Sequence, residues 1–213
     1  MTHNAKAATG SHQPHKTPDW WLVFTKFLKQ GTGIAALAPS SRWLARGVVH
    51  DLDLRQAQCV VELGAGTGPI TTELLRRAED TACRVIIIER DADFCQRLRS
   101  RFPNADIVQA DANDLDQLLA KRNIGQVDHI VSGLPLPSFP APLRDRLLEI
   151  VGRRLRPEGS FRQLTHMPWV YFPLYKRYFG DVLFRLVPIN FPPGGVYVCR
   201  SWKGVPARAE GKE

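Results

Sequence analysis

The chain has 213 residues, 44% hydrophobic and 23% charged, enough for one domain with an ordinary core and too evenly mixed for a disordered or fibrous chain. Its 29 lysines and arginines against 21 acids give a net charge of +8, which points to polyanionic partners: nucleic acid or an anionic membrane surface. No run of about 18 apolar residues is present, so a membrane-spanning helix is excluded, and the polar N-terminus holds no apolar signal segment.

The cationic excess is local. Residues 1–50 carry Lys6, Lys16, Lys26, Lys29, Arg42 and Arg46 against Asp19, and residues 144–177 carry eight cations against Asp145, Glu149 and Glu158. Cysteines 59, 83, 95 and 199 form no CxxC pair, and reduced thiols with no metal site are expected.

In chain order, residues 1–17 are expected to form a tail. The following DWWLVFTKFLKQ segment reads as an amphipathic helix. Trp20, Trp21, Val23, Phe24, Phe27 and Leu28 gather on one side, with Asp19, Thr25, Lys26, Lys29 and Gln30 opposite. A second helix is expected from Ser40 or Ser41, after Pro39, to about His50, making 18–50 an N-terminal helical unit. Residues 51–203 then alternate. Strands are read at 59–63, 84–89, 105–111, 127–134 and 159–167, with helices at 69–79, 92–102, 115–122 and 141–155 between them. Strands apolar on both faces and separated by helices imply an α/β fold with a mostly parallel, doubly covered sheet. DVLFRLVPI and GGVYVCRSW, joined by a short Pro/Gly link, read as an antiparallel C-terminal hairpin, and 204–213 as a tail.

Glu62-Leu63-Gly64-Ala65-Gly66-Thr67-Gly68-Pro69 follows the first strand, where open α/β sheets bind ligands. Gly64, Gly66 and Gly68 permit a tight turn and close approach to a ligand, and Pro69 suits a first helical position. The spacing is not the GxGxxG of nicotinamide and flavin sites; this E-x-G-x-G-x-G pattern resembles motif I of class I S-adenosylmethionine-dependent methyltransferases. Glu89, with Arg90 beside it, ends the second strand 21 residues after Gly68, and an acid there accepts ribose hydroxyls in Rossmann-like sites. Asp111 and Ala112 end the third strand, where an acid accepts the adenine amino group and the next N–H faces a ring nitrogen. These residues and Ser132 form the expected cofactor site.

After the fourth strand, Ser132-Gly133-Leu134-Pro135-Leu136-Pro137 occupies the place where amino methyltransferases carry (D/N/S)-P-P-(Y/F/W) or N-L-P-Y. There the polar residue and a backbone carbonyl accept hydrogens from the attacking nitrogen, so Ser132 and the Leu134 carbonyl are the catalytic candidates. The missing aromatic argues against an adenine substrate, which stacks on such a ring. A second cluster, 166–178, supplies His166 and Tyr171 as further catalytic candidates through water. Tyr175, Arg177 and Tyr178 join Ser40, Ser41 and Pro135 as substrate contacts; the mixture suits a phosphate held by Arg177, Tyr171 and His166 with apolar rings on acyl chains, and equally a nucleic-acid backbone with stacked bases.

The amphipathic helix, the Gly33-to-Arg42 segment GIAALAPSSR, VVELGAGTGPIT, SGLPL, Asn190-Phe191-Pro192-Pro193 and Val196-Tyr197 together resemble the bacterial phospholipid N-methyltransferases, in the branch related to rRNA adenine dimethyltransferases. The resemblance spans about 19–203. It implies stepwise methylation of phosphatidylethanolamine toward phosphatidylcholine, with S-adenosylmethionine as donor and S-adenosylhomocysteine as by-product. It also implies a first helix lying on anionic lipid through Trp20, Trp21, Phe24, Lys26, Phe27 and Lys29. The expected protein is a cytoplasmic monomer, peripheral on the inner membrane, with no nucleic-acid partner. Two alternatives stay open: an rRNA adenine N6-dimethyltransferase, and a membrane-binding module that keeps the fold without turnover.

Overall fold

The computed structural model describes residues 39–165, 171–188 and 194–205, with the side chains of 39–41 outside the description. The expected first amphipathic helix and its six membrane contacts, His166, and the Asn190–Pro193 segment lie outside the described residues.

Seven strands form one sheet in the order β3-β2-β1-β4-β5-β7-β6. They are β1 (Cys59–Leu63), β2 (Arg84–Glu89), β3 (Asp106–Gln109), β4 (Val127–Ser132), β5 (Leu155–Thr165), β6 (Phe179–Val187) and β7 (Gly194–Trp202). β1 pairs in parallel with β2 and β4, β2 with β3, and β4 with β5. β7 runs antiparallel between β5 and β6, so the mostly parallel sheet with an antiparallel C-terminal hairpin is the observed fold. The strand order reverses between β1 and β4, which opens a crevice at their carboxyl ends.

The helices are α1 (Pro39–Val49), α2 (Pro69–Ala78), α3 (Ala92–Arg101), α4 (Leu115–Ala120), α5 (Ala141–Arg154) and α6 (Phe172–Tyr178). One face of the sheet, through Val61, Leu63, Ile86, Ile88, Ile130 and Phe161, packs against buried side chains of α4, α5 and α6. The other face, through Val60, Val85, Ile87, Val131 and Val198, packs against α1, α2 and α3. Each fully buried aliphatic side chain contributes about 1.5–3 kcal/mol. Alternate residues of the central strands β1 and β2 therefore serve opposite cores, which is why they read as nearly unbroken apolar runs.

The edges differ from the sequence reading in ways with local causes. α3 stops at Arg101 because Phe102 has φ −131°, and α4 ends early in a turn that carries Asn123 at φ +55°. β4 ends at Ser132, since Gly133 and Leu134 turn out of the sheet. β5 starts four residues earlier than read, with a register shift opposite Val127 and His129. α6 was not expected at all.

The connection from α1 to β1 is pinned by a buried arginine. Arg162 on β5, 1% exposed, donates from Nη1 to the carbonyl oxygens of Val48 (3.1 Å) and His50 and to Asp51 Oδ1 (2.9 Å). Arg185 on β6 grips the same carboxylate at 2.7 and 2.8 Å, holding Asp51 at φ +56°. Burial alone would raise the Asp51 pKa, but the hydrogen bonds from Arg185 and Arg162 outweigh it and hold the carboxyl below its usual range.

Candidate active site

The turn after β1 requires its glycines. Gly64, Gly66 and Gly68 have φ of +72°, +55° and +85°, the left-handed region that costs an L side chain about 1–2 kcal/mol. At Gly64 a Cβ would also lie 2.3 Å from Leu134 Cδ2, so the turn after β1 and the turn after β4 are packed backbone against side chain. Gly68 N–H closes the turn on the Ala65 carbonyl at 2.9 Å, and Pro69 opens α2.

The acids at the strand ends differ in what they have left to give. Glu62 has no exposed surface; its Oε2 accepts the Thr71 hydroxyl at 2.8 Å, and among the described residues its Oε1 has no partner. Burial pushes its pKa up to about 8, with the nearby Glu89 charge adding to the rise. Glu89, 3% exposed, accepts Gly66 N–H at Oε2 (2.8 Å) and the N–H groups of Arg90 (2.7 Å) and Asp91 (2.8 Å) at Oε1. A carboxylate offers about four acceptor positions, so one remains, on Oε2. Most of the capacity of Glu89 thus holds the glycine turn and the start of the next loop, which leaves less for the two ribose hydroxyls expected there. Burial raises its pKa while those three N–H groups pull it down, and burial prevails. Asp111 is more open: Oδ1 accepts the Asn113 backbone N–H at 2.9 Å and side-chain amide at 3.2 Å, and Oδ2 pairs with Arg90 at 3.3 Å.

Between these acids and the β4 turn lies an open cleft lined by Gly64, Ile88, Arg90, Asp111, Ala112, Leu134, Phe139 and Leu143. Apolar walls with a carboxylate at the rim suit a purine, and the left-handed glycine turn lets backbone approach a nucleoside closely. The residues present fit S-adenosylmethionine.

On the substrate side the structure corrects several expectations. Ser132 has no exposed surface and its Oγ accepts Leu134 N–H at 3.2 Å, so its hydroxyl oxygen is engaged in shaping the turn. The Leu134 carbonyl oxygen already has two donors, Leu136 N–H at 2.9 Å and Gln163 Nε2 at 2.7 Å, which fills both lone pairs. Tyr175 and Tyr178 are core residues, not headgroup contacts. Tyr175 packs 4.9 Å from the Tyr197 ring with its hydroxyl unpartnered among the described residues, and Tyr178 stacks on Trp202 at 6.0 Å. Arg177 is exposed but sits where α6 hands over to the start of β6, at the edge of the sheet opposite the cleft, so it is too remote for the expected phosphate contact. Tyr171 caps the other end of α6, half-buried, its N–H donating to Tyr197 Oη at 3.1 Å. Pro135 is half-buried in the turn beside the cleft, and Ser40 and Ser41 begin α1, whose Leu44 packs on Gly194 at the carboxyl edge of the sheet.

Sequence reasoning missed Phe139 and Leu143, which wall the cleft, and Gln163. Gln163 is 1% exposed at an inward position of β5, next to apolar Phe161 on the same face. An amide on a core-facing strand position was the available signal.

Residues 60–159 match the family described as a methyltransferase domain. The chain is 50% identical over 188 residues to an ornithine lipid N-methyltransferase of Singulisphaera acidiphila, covering 87% of this chain and 97% of that one. The chain belongs to the bacterial lipid N-methyltransferases. Its methyl donor is S-adenosylmethionine. A more distant relative of this lipid methyltransferase is a ribosomal RNA small subunit methyltransferase A of Thermotoga neapolitana, 29% identical over 63% of this chain and 48% of its own length. Among solved structures, the 1,6-didemethyltoxoflavin N1-methyltransferase of Burkholderia thailandensis, with S-adenosylhomocysteine bound, superposes at a TM-score of 0.64 with 16% identity over 91% and 94% of the two chains, a likeness of fold. Among the described residues no helix is long and apolar enough to cross a membrane.

Proposed function

We propose that this lipid N-methyltransferase methylates the terminal amine of ornithine lipid, working from the surface of an anionic membrane on the cytoplasmic side. The 50% identity across nearly the whole of the ornithine lipid enzyme carries the reading. Phosphatidylethanolamine, expected from sequence, presents the same primary amine and is the competing substrate. The +8 charge favours an anionic surface, with about 1 kcal/mol from each cation near it.

Either amine has a pKa near that of lysine, about 10, and must lose a proton before it attacks. The sulfonium supplies an electrophilic methyl, which passes to the amine lone pair as the S–C bond breaks and S-adenosylhomocysteine leaves. The protein's part is placement and desolvation. Asp111, Ala112 and Arg90 hold the purine end, Glu89 takes a sugar hydroxyl, and the glycine turn brings backbone against the nucleoside. Leu134, Phe139 and Leu143 exclude water from the reacting corner, which favours the neutral amine.

The test is incubation with labelled S-adenosylmethionine and, separately, micelles of ornithine lipid, micelles of phosphatidylethanolamine, and ribosomal RNA. Label in ornithine lipid ahead of the others supports the reading. Label confined to phosphatidylethanolamine moves the substrate to that lipid, and label confined to RNA ends the lipid reading.

A further inference from the structure

We infer that Gln163 Oε1 is the acceptor for an N–H of the attacking lipid amine, the role the sequence assigned to the Leu134 carbonyl; this deepens the amine-methylating reading and rests on it. Gln163 Nε2 donates toward three carbonyl oxygens, those of Ser132 (3.3 Å), Leu134 (2.7 Å) and Leu164 (2.8 Å). Only the amide nitrogen fits among three acceptors, so the orientation of the amide is fixed. Its Oε1 is then a buried acceptor without a partner among the described residues. The Leu134 carbonyl, with two donors, has nothing left to offer.

The position is right for an amine. The two polar atoms of a carboxamide are about 2.2 Å apart, which puts Oε1 within about 5 Å of the Leu134 carbonyl oxygen. Leu134 and Gly64 line the cleft, and Gln163 pairs in register with Ser132 at the carboxyl ends of β5 and β4. A neutral acceptor is also the right chemistry. A carboxylate there would stabilise the ammonium and keep its lone pair protonated, whereas an amide oxygen orients one N–H and leaves the lone pair free. The amine gives its proton to water, the N–C bond forms as the donor's S–C bond breaks, and Gln163 exchanges no proton.

A neutral primary amine has two N–H groups, a monomethyl amine one and a dimethyl amine none. Gln163 therefore acts on early transfers and has nothing to bind in the last. Full-length Gln163→Leu and Gln163→Glu are compared with the wild type on micelles of unmethylated and N,N-dimethylated ornithine lipid, with S-adenosylhomocysteine affinity measured by calorimetry. Gln163→Leu is expected to slow the first transfer about 100-fold, at least tenfold more than transfer to the dimethyl lipid, with S-adenosylhomocysteine affinity unchanged. Equal slowing of both transfers, or none, overturns the inference and leaves the lipid reading standing. Should the leucine variant not fold, or the wild type refuse the dimethyl lipid, Gln163→Glu decides. With one oxygen among three carbonyl oxygens its carboxyl keeps a proton near neutral pH and preserves the acceptor, so the first transfer stays within about tenfold of the wild type there and gains less with rising pH as the carboxylate forms and holds the ammonium; a profile parallel to that of the wild type overturns the inference. Wild-type protein that labels no lipid amine overturns the reading and the inference together.

Discussion

Glu62 shows what one side chain at the head of the site is set to do. In the folded protein burial keeps it protonated up to about pH 8, whereas in the unfolded chain it ionises near 4.5. The folded state binds the extra proton between those values, so stability falls as pH rises through that window and the whole cost is present above about pH 8. Glu62→Gln keeps an acceptor for the Thr71 hydroxyl and removes the titration. The variant is therefore expected to match the wild type near pH 4.5 and to exceed it increasingly toward pH 9, by an amount on the order of a few kcal/mol. Urea unfolding of both proteins at pH 5, 7 and 9 checks this, and parallel stability curves would contradict a buried, neutral Glu62.

At the scale of elements, the site is two turns locked to each other. Gly64→Ala adds a Cβ at φ +72° that collides with Leu134, so it strains the turn after β1 and displaces the turn after β4 together. Expected is a loss of about 2–3 kcal/mol of stability and at least a tenfold weaker S-adenosylhomocysteine affinity by calorimetry; unchanged affinity would uncouple the turns. The central strands were legible because β1, β2 and most of β4 are buried on both faces, and the acids Glu62 and Glu89 stood out because each stands at or next to a strand end. The substrate side was less legible for physical reasons. Residues 172–178 of the aromatic stretch read as a ligand cluster fold into α6, whose Tyr175 and Tyr178, three apart, turn the same face into the core. That helix then carries Arg177 away to the far edge of the sheet. Gln163 went unread because its one signal, an amide at an inward strand position, carries no spacing; its meaning appears only when the carbonyls of Ser132, Leu134 and Leu164 converge on it.

For the molecule as a whole, the Asp51–Arg162–Arg185 knot ties α1, and with it the start of the described chain, to β5 and β6. Arg162 is buried, so removing its counterion leaves a charge without solvent or partner, whereas Arg185 is a third exposed and loses little. Asp51→Ala is expected to cost about 3 kcal/mol, the lower part of the range for a broken buried pair, because the Val48 and His50 carbonyls still accept from Arg162. The Asp51 pKa lies below its usual 3.8, so the contribution is present above about pH 4 and fades as acid protonates the carboxylate. At pH 7 the single variant should therefore melt several degrees lower, and the difference should narrow toward pH 3. Adding Arg162→Met removes the stranded charge and fills the site with apolar volume, so the double variant should recover most of the loss. A double variant no more stable than Asp51→Ala would mean that Arg162 works chiefly by capping the carbonyls at the end of α1, and that its ion pair with Asp51 contributes little.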